Sequence, residues 1–157
     1  MGMRDAPTVA SIPLRERLLT SFGQRGRFGV FTDRLARLFD LPHREVAELL
    51  QRAEDPSAWQ PWFTEGTDAI MLEGARIQGA LAGIGRLRPG LRFPHHEHVG
   101  DEVTVVLEGG FRDEADGAEV WRGEELFKAA GTHHELVVLE GTSCIAAVLA
   151  VGGVTFR

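Results

Sequence analysis

The sequence predicts an all-β fold, a sandwich or barrel, entered through a short helical segment. Two observations carry this. From about Thr67 onward the chain breaks into short runs rich in β-branched and aromatic residues, separated at regular spacing by glycine-containing turns, the pattern of a closed or double-layered antiparallel sheet. Before that point apolar residues recur three and four apart, the helical period. The division is placed at residue 60, with a helical segment over 1–60 and the β domain over 61–157.

Residues 1–11 show no period and read as a leader. Leu14, Leu18, Leu19 and Phe22 then form one helix face, ended by Gly23-Gln-Arg-Gly26. Phe31, Leu35, Leu38 and Phe39 mark a second helix, with Arg34 and Arg37 on its other side. Asp40 is the expected N-cap of a third, with Pro42 in its first turn, Val46, Leu49 and Leu50 facing inward, and Asp55-Pro56-Ser57 ending it. Helices this short need a surface on which to bury their stripes.

Strands are expected over Ala69–Leu72, Gln78–Leu87, Leu91–Glu97, Glu102–Leu107, Gly110–Asp113, Ala118–Trp121, Glu125–Lys128, His134–Leu139, Cys144–Ala150 and Val154–Phe156. Asp116-Gly117 suits a hairpin turn, and the run Asp113-Glu114-Ala115-Asp116 reads as its tip. If Glu102 points inward, so do Thr104 and Val106, which leaves Val103, Val105 and Leu107 on the outer face. That row is too apolar for water and needs cover from the helices, a second sheet or another subunit; a homodimer is expected.

At 157 residues, 43% hydrophobic and 25% charged, the chain has the composition of an ordinary soluble globular protein. Its net charge of −6 divides unevenly, +1 over residues 1–60 and −7 over 61–157, so the β half repels a polyanion. Leu35 to Leu50 has the outline of a helix-turn-helix, but it is nearly neutral and lacks a basic recognition face, which favours a packing hairpin over nucleic-acid binding. Cys144 is the only cysteine, so neither an intrachain disulfide nor a thiolate cluster can form, and a reducing cytoplasm is the expected setting. No apolar run approaches the roughly 18 residues of a membrane span, and the N-terminus has no apolar signal core.

The chemistry gathers between Gly90 and Gly109. His96 and His98 stand two apart in extended chain, so both imidazoles share one face. Val99-Gly100-Asp101 is turn-prone and returns the chain as a second strand that opens with Glu102. A further imidazole, at His133-His134, follows the strand after Gly123. Imidazoles with a carboxylate and no sulfur make a nitrogen and oxygen metal site for one divalent ion. Zn is preferred, and Fe, Mn, Ni or Cu also suit these donors. Four protein ligands can close a tetrahedral Zn site, whereas around an octahedral ion they leave two positions open. His95 and His133 point the opposite way by strand parity, although a bulge would exchange His133 with His134.

Gly90, five residues, His96-x-His98, three residues, Glu102, six residues and Gly109 together resemble the first cupin motif at every position. Gly123, Gly131 and His134 resemble the second, with Ala129 at its proline position and Val138 at its asparagine. Pro94-His-His-Glu-His-Val-Gly-Asp-Glu102, Leu107-Glu-Gly-Gly-Phe-Arg-Asp-Glu114 and Glu140-Gly-Thr-Ser-Cys144 are similar, more narrowly, to the cupin-like domain at the C-terminal end of ChrR-type anti-sigma factors. The resemblance implies a jelly-roll β-barrel and makes His96, His98, Glu102 and His134 the metal ligands. Such proteins also carry an N-terminal zinc-binding helical domain that sequesters a sigma factor, marked by His and a pair of Cys; with Cys144 alone, that metal site is not expected in this chain.

Function is expected to be that of a small-molecule or oxidant-responsive binding or sensor module, with the ligand in the barrel. Alternatives are a mononuclear non-haem metal oxygenase (a dioxygenase) or isomerase, and a helix-turn-helix/cupin regulator. The chain contains no Tyr, and neither motif holds an obvious proton-transfer group beyond the ligands. Cys144 reads as a buried small hydrophobe, with an oxidant-responsive thiol as the sharper alternative. Arg86, Arg88 and Arg92 read as a solvated strand face rather than a receptor for an anion.

Overall fold

Strands that alternate apolar and polar residues must close so that one set of side chains leaves water, and here they close by nesting. The computed structural model describes residues 26–73 and 78–156. Its strands are β1 (Gln60–Pro61), β2 (Thr67–Met71), β3 (Ala80–Leu87), β4 (Arg92–His98), β5 (Glu102–Glu108), β6 (Gly110–Asp113), β7 (Glu119–Trp121), β8 (Glu125–Lys128), β9 (His133–Val138), β10 (Cys144–Val151) and β11 (Val154–Phe156). β3 pairs with β10, β4 with β9, β5 with β8 and β6 with β7, all antiparallel. The chain thus runs out along four strands and returns beside them, the wrapping of a jelly roll.

The product is a six-stranded sheet, ordered β1-β2-β3-β10-β5-β8, facing a five-stranded one, ordered β11-β4-β9-β6-β7. Each predicted strand is present. The two-residue β1 is not expected from the sequence, because Pro61 lacks a donor; it adds only to the sheet's edge, opposite Asp68 and Ala69. Between β5 and β6 the reversal is immediate. Gly109 takes φ +68°, and a Cβ there would lie 2.5 Å from the Ser143 carbonyl oxygen, so the motif glycine serves both conformation and close approach.

Two helices precede the sheets: α1 (Thr32–Phe39) and α2 (His43–Arg52). The helix expected around Leu14 to Phe22 lies outside the described residues. Asp40 is not the N-cap of α2. It closes α1 in the left-handed region at φ 51°, with its N–H bonded to the Ala36 carbonyl, a conformation that Asp tolerates better than most residues. Pro42 is the N-cap of α2 instead, extended at ψ 146°. After α2 the Asp55 carboxylate accepts from the Ser57 amide at 2.9 Å and starts a short turn, as the expected stop requires.

These helices cover the outer row of β5. Val105 and Leu107 are buried in one cluster with Leu35, Phe39, Val46 and Leu50, while Val103 is only half-buried and its cross-strand partner Phe127 is exposed. Of the three covers considered, the chain's own helices supply most. Arg34 reaches the Gly123 carbonyl at 2.5 Å and Glu125 at 2.8 Å, and Arg27 reaches Glu108 at 2.5 Å. Such exposed pairs orient more than they stabilise. A second cluster, including Phe93, Val106, Phe111 and Val138, fills the space between the sheets. Among the described residues no helix is long and apolar enough to cross a membrane.

Leu35 is fully buried where helix meets sheet. Leu35→Ala is expected to cost about 2–5 kcal/mol in urea unfolding, and a loss near zero would show that the helices do not pack on the outer face.

Candidate metal centre

Pro94 interrupts the β4–β9 ladder, since it has no N–H, and the register shifts between Phe93 and His96. Past that irregularity His96 stands directly opposite His134, and Glu97 opposite His133. His96, His98 and His134 therefore converge on the inner face, with ring centroids 4.6 to 5.0 Å apart. All three are buried, and one ligand nitrogen from each lies within 4.8 Å of the others. His95 and His133 stack on each other at 4.9 Å and are not buried. The possible exchange of His133 for His134 does not occur.

Glu102 reaches the group from the start of β5. It is buried, its Oε1 lies 3.5 Å from His98 Nε2, and the Thr104 hydroxyl donates to it at 3.3 Å. Between β4 and β5 the loop is clamped to the second motif. The Gly131 amide donates to the His98 carbonyl at 2.8 Å, and the Ala130 amide to Asp101 at 3.0 Å. At Ala129, where the second motif has proline, the turn closes through the Thr132 amide and hydroxyl, both donating to the Ala129 carbonyl.

Two of the three imidazoles are anchored by their Nδ1. His96 Nδ1 donates to the Pro94 carbonyl at 2.9 Å and His98 Nδ1 to the Thr132 carbonyl at 3.0 Å. His134 Nδ1 lies 3.1 Å from Asp113 Oδ1, close but bent away from a straight hydrogen bond. For His96 and His98, carbonyl oxygens that can only accept place the proton on Nδ1 and leave the Nε2 lone pair for a ligand; beside His134 the Asp113 carboxylate favours the same tautomer. The Nε2 atoms of His98 and His134 are buried without a hydrogen-bond partner, as is His134 Nδ1. Buried polar atoms of this kind are rare and call for an ion or a water. The donor set fits a divalent metal ion on these grounds.

Electrostatics favour the neutral form at two of the three imidazoles. Burial, then the neighbouring imidazoles, push His96 down to about 4, and burial also lowers His134. Both shifts favour the neutral form that a ligand must take. Burial opposes charge at His98 and Glu102, but their mutual contact prevails, raising His98 and lowering Glu102.

Asp113 is a correction to the sequence reading. Glu114, Ala115 and Asp116 form the hairpin turn, but Asp113 is 0% exposed at the end of β6, between Lys128 and His134. Although burial works against its ionisation, Lys128, the Ala115 amide and His134 hold its carboxyl below the usual range. Carboxylates in this position fix the orientation and tautomer of a ligating imidazole. The available signal was parity: Phe111 and Asp113 are two apart, so an inward Phe111 carries Asp113 inward with it.

Beside His96 and Glu102 lies a cavity of about 60 Å³, walled mainly by apolar side chains of both sheets. Trp62, from the segment after β1, occupies the space left at Gly85, where a Cβ would meet its ring at 2.6 Å. Cys144 also lines the cavity, buried, its thiol pushed up to about 12 by burial and then by Glu108. None of Arg86, Arg88 or Arg92 reaches it. Arg86 pairs with Asp68, and Arg92 with Glu135 and Glu114.

A family profile described as the ChrR Cupin-like domain matches residues 49–151. No curated protein sequence matches the chain closely. Among solved structures, an RmlC-like cupin protein from Ralstonia eutropha is 18% identical over 62% of this chain and 65% of its own, with a TM-score of 0.58. The Rhodobacter sphaeroides SigE complex with the anti-sigma ChrR gives 26% identity over 67% and 55%, also with a TM-score of 0.58. An acetylacetone dioxygenase from Acinetobacter johnsonii gives 16% over 65% and 73%, with a TM-score of 0.56. The aligned region spans 65% and 55% of the first two, less than two thirds of each.

Asp113→Ala is expected to weaken metal binding by about 10–100-fold in competition with a chromogenic chelator, with Asp113→Asn closer to the parent and Asp116→Ala, at the exposed turn, unchanged. Equal behaviour of the Asp113 and Asp116 variants would remove Asp113 from the site.

Proposed function

The chain belongs to the ChrR cupin-like domain family, and on that premise we propose that it is a metal-binding module whose cavity recognises a small molecule or a reactive oxygen species. The ligands are His96, His98, Glu102 and His134, holding one divalent ion, with Zn preferred. The observation that carries this is the pair of buried Nε2 atoms, on His98 and His134, that lack any hydrogen-bond partner beside a third imidazole and a carboxylate. When bound, the ion supplies a fixed positive charge at the cavity wall, to which an oxygen donor is drawn. The chain's residues hold His96 and His98 by their Nδ1 atoms, set the Asp113 carboxylate beside His134, keep Glu102 ionised and exclude bulk water.

An oxidant response, on this reading, belongs to the metal site rather than to Cys144, whose buried thiol stays protonated and unreactive. Native Cys144 is accordingly expected to resist a thiol-disulfide reagent at neutral pH and to react on unfolding; rapid native reaction would restore the thiol as a sensor.

A second reading, a metal-dependent oxygenase or isomerase, has one observation in its favour: the cavity opens onto His96 and Glu102, where a substrate would meet the ion. Against it, the other polar lining groups among the described residues are Thr104, Cys144 and the Trp62 indole, none a base at neutral pH. A protein partner is part of the proposal by analogy with ChrR, which is seen with SigE. Pairing of two copies is proposed as well, through the surface around exposed Phe127 and Val151. Nucleic acid is not favoured: α1 and α2 bury their apolar faces on the sheet, and Arg44 on α2 faces Glu48 at 3.5 Å. The cytoplasm is the proposed setting.

Elemental analysis of protein purified without added metal is expected to show about one ion per chain, lost in His98→Ala; an undiminished ion in the variant would contradict the ligand set. Oxygen uptake by Fe(II)-loaded protein with small diketones is expected to be absent, and turnover would favour the oxygenase.

A further inference from the structure

We propose that the cavity's ligand is a small, mostly apolar molecule that meets the ion through one or two oxygen donors; this deepens the metal-binding reading and rests on it. The walls carry the inference. Among the described residues that line it, His96, Glu102, Thr104, Cys144 and the indole N–H of Trp62 are the polar groups, and no Lys or Arg is present. Thr104 spends its hydroxyl on Glu102. Lys128, the basic side chain whose charge reaches His98 and His134, is paired with Asp113. A carboxylate or phosphate in the body of a ligand would therefore be buried with no cation to receive it, which is strongly unfavourable.

The aromatic wall states the preference positively. Trp62 and Phe63 lie 4.6 Å apart, and Phe63 and Phe93 5.9 Å, forming one continuous apolar surface that ends 5.3 Å from His96. Phe63 and Phe156 meet at 4.9 Å and are both partly exposed, which puts this surface's outer edge at solvent. Three neutral imidazoles and one carboxylate around a divalent ion leave a single positive charge, suited to a neutral or singly charged oxygen chelate. At about 60 Å³ the cavity takes a body of only a few carbons beyond that head.

The test uses the Zn-loaded full chain and hydroxamic acids, whose two oxygens bind metal while the tail varies. Aceto-, butyro- and hexanohydroxamic acid, and succinic monohydroxamic acid with a carboxylate in its tail, are titrated by calorimetry, with Zn retention checked after each run. Affinity is expected to rise by up to about fourfold per methylene until the cavity is full, and the succinic analogue to bind more weakly than acetohydroxamic acid. Ala146→Leu and the milder Val148→Leu, which narrow the cavity, are expected to abolish the gain with tail length. Affinities that ignore the tail, tighter binding of the charged analogue, or a tail gain that persists in both variants would overturn the ligand class. A wild-type chain that holds no Zn would instead overturn the metal-binding reading beneath it.

Discussion

The register that sets His96 directly opposite His134 is the constraint on which the site depends. A one-residue slip between β4 and β9 would turn every side chain on one strand to the other face, bringing the stacked outer pair, His95 and His133, into question along with the ligands. Pro94 sits at the irregularity that decides this register, and its carbonyl holds His96. Ladder and ring orientation are thus settled within three residues of each other. Of the other two imidazoles, His98 is held by Thr132 in the turn before β9, and His134 faces Asp113 at the end of β6. Three segments separated in sequence, β4, β6 and the turn running into β9, must be in place before the Nε2 atoms share a common space.

Such a site works against the fold that holds it. Each buried ring nitrogen without a partner costs about 1–3 kcal/mol, and the Asp113–Lys128 pair adds the cost of burying charge. The offset lies in two apolar layers, one between the sheets and one where α1 and α2 cover β5. The helices therefore serve the candidate metal site at a distance, by sealing the outer side of the strand whose inner side presents Glu102 and Thr104.

Much of this was legible from local spacing. Alternation placed His96 with His98 and Glu102 with Thr104, glycine turns located the strands, and the apolar row Val103, Val105 and Leu107 announced that something must cover it. What was not legible depended on contacts across the chain. Asp113 looked like part of an acidic hairpin tip because its neighbours are one; only the approach of β8 and β9 gives it Lys128 and His134. Asp40 carries the same side chain whether it starts a helix or ends one, and the left-handed turn after Phe39 decided for the latter. The aromatic wall came from Trp62 and Phe63, outside both motifs, and its position depends on the vacancy at Gly85.

Glu102 and Asp113 divide the acid roles, one facing the common space of the three imidazoles and the other behind His134. The central claim is that all three rings keep their proton on Nδ1 and offer Nε2 to one ion. Long-range proton–nitrogen NMR correlation of the imidazoles, recorded with and without a diamagnetic divalent ion, tests it most directly. The account predicts the Nδ1–H form for His96, His98 and His134 in the loaded protein, with all three Nε2 resonances displaced by the ion. A ring bound through Nδ1, or any of the three left unmoved, would contradict it.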